Sequence, residues 1–123
     1  MSEQPRAVAA FRPGKLMIVT VFRSRLKPGV HDAYVAMASR MKEIAEAMPG
    51  YISDKDFIAA DGERVTVVEF ESEEAVRAWR QHPEHIAAQK QARAMYFASY
   101  RIQVCELLRE ATFEADQTAD ARA

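Results

Sequence analysis

Residues 51–71 read YISDKDFIAADGERVTVVEFE, and the middle of that stretch decides the fold. Asp61-Gly62 is a hairpin signal, because a tight reversal between strands needs a positive φ that Gly accepts without steric cost. After it, Val65 to Glu71 (VTVVEFE) is β-branched and strand-like. Before it, Tyr51 to Ala59 (YISDKDFIA) carries Ile52 and Ile58 on one parity and Tyr51 and Phe57 on the other. The two segments are expected to pair antiparallel.

Upstream of this hairpin, Pro49-Gly50 stops a helix whose apolar stripe is Tyr34, Met37, Met41, Ile44 and Met48, at steps of three and four. Lys27-Pro28-Gly29 separates that helix from residues 15–26 (KLMIVTVFRSRL), a strand that is apolar on both alternating faces. Downstream, Ser72-Glu73-Glu74-Ala75 has a serine N-cap followed by acids that suit the positive end of a helix, and this helix includes Val76 and Trp79. Gln81-His82-Pro83 breaks it, and Pro83 starts a second helical segment reaching about Met95. Tyr96 to Leu108 (YFASYRIQVCELL) is strand-like again. The order β-α-β-β-α-β is the α+β, ferredoxin-like plan, a four-stranded antiparallel sheet with its helices on one face.

That plan leaves a face uncovered. The first strand puts Met17, Val19 and Val21 on one side and Ile18 and Phe22 on the other, and the third sets Val65 and Val67 against Val68 and Phe70. An exposed apolar sheet face of several hundred Å² is an association surface, and a symmetric homodimer through the sheet faces covers it without further sequence.

The composition agrees with one folded unit. The chain has 123 residues, 49% hydrophobic and 28% charged, with 17 Lys+Arg against 18 Asp+Glu. At this length about two thirds of the unfolded surface is buried on folding, enough for a core without disulfides or metals. Balanced, interleaved charge lacks the basic footprint of a nucleic-acid protein. Residues 1–14 are expected to form a flexible arm, 15–108 the domain, and 109–123 a mobile tail. The run Leu16 to Phe22 is far short of a membrane span. Cys105 stands alone, which rules out an internal disulfide and suits a reducing cytoplasm.

Several stretches resemble one family. The turn after the first strand (FRSRLKPGVHDAY), the helix end and next strand (MPGYIS), the third-strand exit (VVEFESEEAVRAW) and HPEHIAAQKQAR are similar to the antibiotic biosynthesis monooxygenase domain. The resemblance covers about residues 15–108. It implies a dimeric α+β barrel with a pocket in each subunit between sheet and helices. Branches of that family oxidise phenols, anthrones or quinols without metal or flavin, degrade haem, or act in small-molecule signal turnover. The anthrone branch implies an Asn and a Trp on the third strand; Thr66 and Phe70 stand there, with Gln89 or Lys90 at its basic helix position. The haem branch is matched at Trp79 and Arg93, but its iron-ligating His falls on Gln89 and its first-strand Asn on Ser24. An amide is a poor iron ligand beside imidazole, which disfavours haem degradation.

The residues themselves offer few chemical groups. His82 and His85 flank Pro83 and Glu84. They are either a general acid/base pair, because imidazole titrates near neutrality, or a helix end and a first-turn residue with no chemical task. No third metal ligand stands at suitable spacing, and no metal is expected. Trp79 either walls a pocket for a flat ligand or pins its helix to the sheet. Phe22, Thr66 and Phe70 share one parity and line the pocket together if that parity faces the helices. Arg93 is an anion-binding candidate on an otherwise solvated face, and Tyr34, Met37 and Met41 read as core. Isolated glycines and the absence of a Gly-rich loop argue against nucleotide cofactors, so none is expected.

Taken with these residues, the resemblance implies a cofactor-independent monooxygenase acting on a small aromatic or quinol-like substrate. His82 or His85 is the base, Trp79, Phe22 and Phe70 hold the ring, and Thr66 donates a hydrogen bond to a substrate oxygen. A non-catalytic dimeric binding protein and an isomerase of the same fold are the alternatives.

Overall fold

The computed structural model describes residues 6–7 and 16–116. Its main sheet has four antiparallel strands: β2 (Ile18–Leu26), β3 (Tyr51–Ile58), β4 (Arg64–Phe70) and β5 (Phe97–Glu106), in the order β3-β4-β2-β5. Three helices, α1 (His31–Glu46), α2 (Glu73–Arg80) and α3 (Pro83–Met95), pack on one face of it. This is the ferredoxin-like α+β fold expected from the chain, with the second helical region divided in two.

Local chemistry accounts for the boundaries. Gly62 (φ +92°) closes the β3–β4 hairpin, where Ile58 pairs with Arg64, Asp56 with Thr66 and Asp54 with Val68. Ser72 caps α2, its side chain accepting from the Ala75 N–H at 3.2 Å. His82 caps α3 just before Pro83: its Nδ1 accepts from the Glu84 N–H at 3.1 Å. An imidazole therefore begins a helix here, rather than closing the preceding one as a cation.

The helix-facing parity of the sheet is even in β2 and β4. Ile18, Phe70 and Val76 form one buried cluster with Met48, Tyr51, Val68, Ala75 and Trp79 against it. Tyr34, Ala92 and Tyr96 form a second, with Leu26, Val30, Met37, Ala38 and Phe97 around them. The core is thus split into two packed ends. On the other face, Val19, Val21 and Val67 are only partly buried.

A further short ladder lies outside the sheet. The expectation of a flexible arm over 1–14 falls mostly outside the described residues, but β1 (Arg6–Ala7) pairs antiparallel with β6 (Ala111–Thr112). Among the described residues, no helix is long and apolar enough to cross a membrane.

Candidate functional site

Between the two clusters, sheet and helices enclose a cleft of about 830 Å³, a size that accommodates a multi-ring small molecule. Its floor is the even face of the sheet: Thr20 and Phe22 of β2, Thr66, Val68 and Phe70 of β4, and Ile102 and Val104 of β5. Its roof includes Trp79 and Arg80 of α2 and His85, Gln89 and Arg93 of α3.

Of the residues singled out from the sequence, Phe22, Thr66, Phe70, Trp79, His85 and Arg93 all line this cleft. His82 is not among the lining residues; its ring nitrogen is occupied as the α3 cap. Phe70 is 1% exposed and packs edge-on against Tyr51 at 5.9 Å, so it forms a fixed wall. Phe22 belongs to an aromatic cluster, with Phe97 at 5.5 Å and Tyr100 at 5.7 Å between ring centroids. Arg93 Nη1 approaches the Tyr100 hydroxyl at 3.4 Å.

His85 lies in the roof of the cleft beside Trp79. Its ring lies 4.3 Å from the Trp79 ring at 35°, and its Nδ1 is buried with no hydrogen-bond partner among the described residues. Burial pushes the imidazole below its ordinary value of 6.5, the Arg80 carbonyl partly opposes this, and the charges of His82 and Arg80 add to the lowering. The neutral ring, which is the form able to take a proton, is therefore favoured.

The structure adds groups that a reading of the sequence by residue type passes over. Asp54 and Asp56 project from β3 into the same cleft. Asp54, whose side chain is only 8% exposed, pairs with Lys42 Nζ of α1 at 3.3 Å and accepts from the Tyr51 hydroxyl. Asp56 Oδ1 accepts from Thr66 Oγ1 at 2.6 Å. Thr66 therefore donates its proton to Asp56, which leaves its hydroxyl oxygen as an acceptor, where the sequence suggested a donor. Arg64, on the same strand face, lies over the Tyr34 ring at 5.5 Å. Thr20 Oγ1 on the floor is buried without a partner.

Comparison with known proteins agrees with this architecture. Residues 17–91 match the family model described as antibiotic biosynthesis monooxygenase. The chain is 32% identical over 94 residues to the uncharacterized protein YqjZ of Bacillus subtilis, covering 76% of this chain and 82% of that one. Among solved structures, Rv0793 from Mycobacterium tuberculosis superposes with a TM-score of 0.70 at 23% identity, over 78% of this chain and 99% of that one. SnoaB from Streptomyces nogalater, described as a cofactor-independent oxygenase, superposes at 0.63 with 15% identity, over 83% and 95%. With the family model spanning most of the sheet and helices that build the cleft, the chain belongs to the antibiotic biosynthesis monooxygenase family.

Proposed function

We propose that this chain is a cofactor-independent monooxygenase of a small aromatic or quinol-like substrate bound in the cleft. The observation that supports it most is the buried Nδ1 of His85, unpartnered among the described residues, beside Trp79 in a cleft that also holds Phe22 and Phe70. His85 removes the acidic proton of a phenol or enol, and the resulting anion is electron-rich enough to reduce oxygen without a flavin or metal. An electron passes to O₂, the radical pair joins at a ring carbon, and the hydroperoxide loses water. One oxygen atom ends in a new carbonyl and the other in water, with all four electrons coming from the substrate. Trp79 and Phe22 align the ring against the fixed wall of Phe70. Arg93 steadies anionic charge at the far side.

Haem has no part in this scheme, because the cleft presents the amide of Gln89 where the haem branch has its ligand. The working unit is a homodimer through the sheet face that the helices leave uncovered, housed in a reducing cytoplasm that suits the exposed thiol of Cys105.

The test is oxygen uptake by the purified protein with dihydroxynaphthalenes, anthrones and hydroquinones, the product being weighed after reaction under ¹⁸O₂. One labelled atom per product, above the protein-free rate, is expected. Tight binding with no uptake would replace this reading with a binding protein, and a rearranged product of unchanged mass with an isomerase.

A further inference from the structure

The hydrogen-bonding polarity of the cleft narrows the substrate class. Asp56 and Thr66 face each other across β3 and β4, and their 2.6 Å bond is in the range of about 2.5–2.7 Å typical of a hydroxyl donating to a carboxylate. With that proton spent, the pair presents only lone pairs: the Thr66 oxygen and the second carboxylate oxygen of Asp56. A carboxylate in a cleft more often suggests a cationic ligand, but here positive charge is already supplied. Lys42 is paired to Asp54 and also feels the field of Asp56, and Arg64 lies on the neighbouring cross-strand pair. A neutral donor therefore suits the pair better than an ammonium group.

The opposite flank needs a partner too. β3 and β5 are opposite edges of the sheet, with α1 packed against β3 and α3 against β5, so Asp56 of β3 and His85 of α3 enter the same cleft from different elements. His85 Nδ1 is a buried polar atom without a partner among the described residues, and leaving such an atom unpaired costs about 1–3 kcal/mol. A ligand with a hydroxyl at each end of a flat ring system satisfies both flanks: one O–H directed to His85 and the other to the Thr66–Asp56 pair.

We infer that Asp56, held by Thr66, is a specificity-determining residue that selects aromatic substrates bearing a second hydroxyl remote from the one that His85 deprotonates. This rests on the oxygenase reading only for the naming of that first hydroxyl; recognition of the second is a matter of binding. Asp56 is exposed at the cleft, so a ligand capped at that position loses one hydrogen bond to the pair rather than stranding a buried acceptor.

The experiment is calorimetric titration under nitrogen with a dihydroxynaphthalene, its monomethyl ether and its dimethyl ether. Wild type, Asp56→Asn and Thr66→Val are compared, with thermal melting checking the fold of each variant. Wild type is expected to prefer the diol over the monomethyl ether by about tenfold or more, the scale of one lost hydrogen bond of about 1.4 kcal/mol. Both variants should reduce that preference to two- or threefold. Unchanged discrimination in both folded variants, or none in wild type, overturns the inference. Oxygen uptake is read separately. Uptake with variant-insensitive discrimination removes this inference and keeps the oxygenase; variant-sensitive discrimination without uptake does the reverse.

Discussion

His82 and His85 stand three positions apart and are held by different partners. The Nδ1 of the first is bonded to the Glu84 N–H, while that of the second is buried against Trp79 with no bond. His85→Ala is expected to lower oxygen uptake by about 10²-fold or more, within the range of a lost general base. His82→Ala should keep turnover within a few-fold and cost about 0.5–1 kcal/mol of stability through the cap, read from urea midpoints. The pH dependence follows from burial. The folded His85 is held below 6.5, so between its folded and unfolded values the unfolded chain binds more protons. This contribution to stability is complete above about pH 6.5 and is lost as pH falls through the folded value. Urea midpoints of wild type should therefore drop more between pH 7.5 and 5 than those of His85→Gln, and the acid limb of uptake should lie below 6.5. A limb above that value would remove His85 as the base. At this scale the sequence was only partly legible. His85, Trp79 and Phe22 stand out by type, whereas Asp54 and Asp56 carry no signal by type and their strand alternates weakly. Counting back in pairs from Asp61-Gly62 places them opposite Val68 and Thr66, hence in the cleft, and that was the signal available.

Elements were easier to read than roles, because caps and turns are local. The serine cap of α2, the proline start of α3 and the Asp-Gly hairpin each depend on neighbours within four residues. What locality does not reveal is how the turns pack. Gly50 (φ +87°) follows α1, and its carbonyl accepts from the Glu71 N–H at 2.8 Å. A Cβ there would fall 2.6 Å from Ala75 Cβ, at the start of the helix that carries Trp79. Gly62 (φ +92°) has nothing within 4 Å of the same position. Alanine at either site bears the left-handed backbone cost of about 1–2 kcal/mol. Only Gly50→Ala should add an overpacking cost of about 1–3 kcal/mol by displacing α2. Urea unfolding of the two variants isolates that difference. The emission of Trp79, the one tryptophan of the chain, should shift in the first variant and not in the second. Equal losses would mean that α2 yields without cost.

For the whole molecule, the sheet divides the residues into two populations with separate tasks. Its even face forms two packed clusters and the cleft, whereas its odd face displays Val19, Val21 and Val67 half-buried. Paired charges border one end of that valine patch, beside the hairpin: Arg23 grips Glu63 through two bonds of 3.0 and 3.1 Å, and Arg25 meets Asp61 at 2.7 Å. An apolar patch next to satisfied polar groups has the makings of a protein interface. Valine at these positions is otherwise costly, because an antiparallel sheet facing water carries polar residues on that side. Val21 lies mid-strand in β2, which is flanked by β4 and β5, so Val21→Glu would place a charge in the middle of the contact. Light scattering after gel filtration should give wild type twice the 13.9 kDa chain mass and this variant the single mass. Since the cleft is walled by one chain, the separated variant should still bind a dihydroxynaphthalene within a few-fold of wild type. Loss of binding together with the dimer would instead mean that the second subunit braces the sheet floor, Thr20 and Thr66 included, from behind. A wild type that runs at the single mass would leave the valine face without the partner that its composition requires.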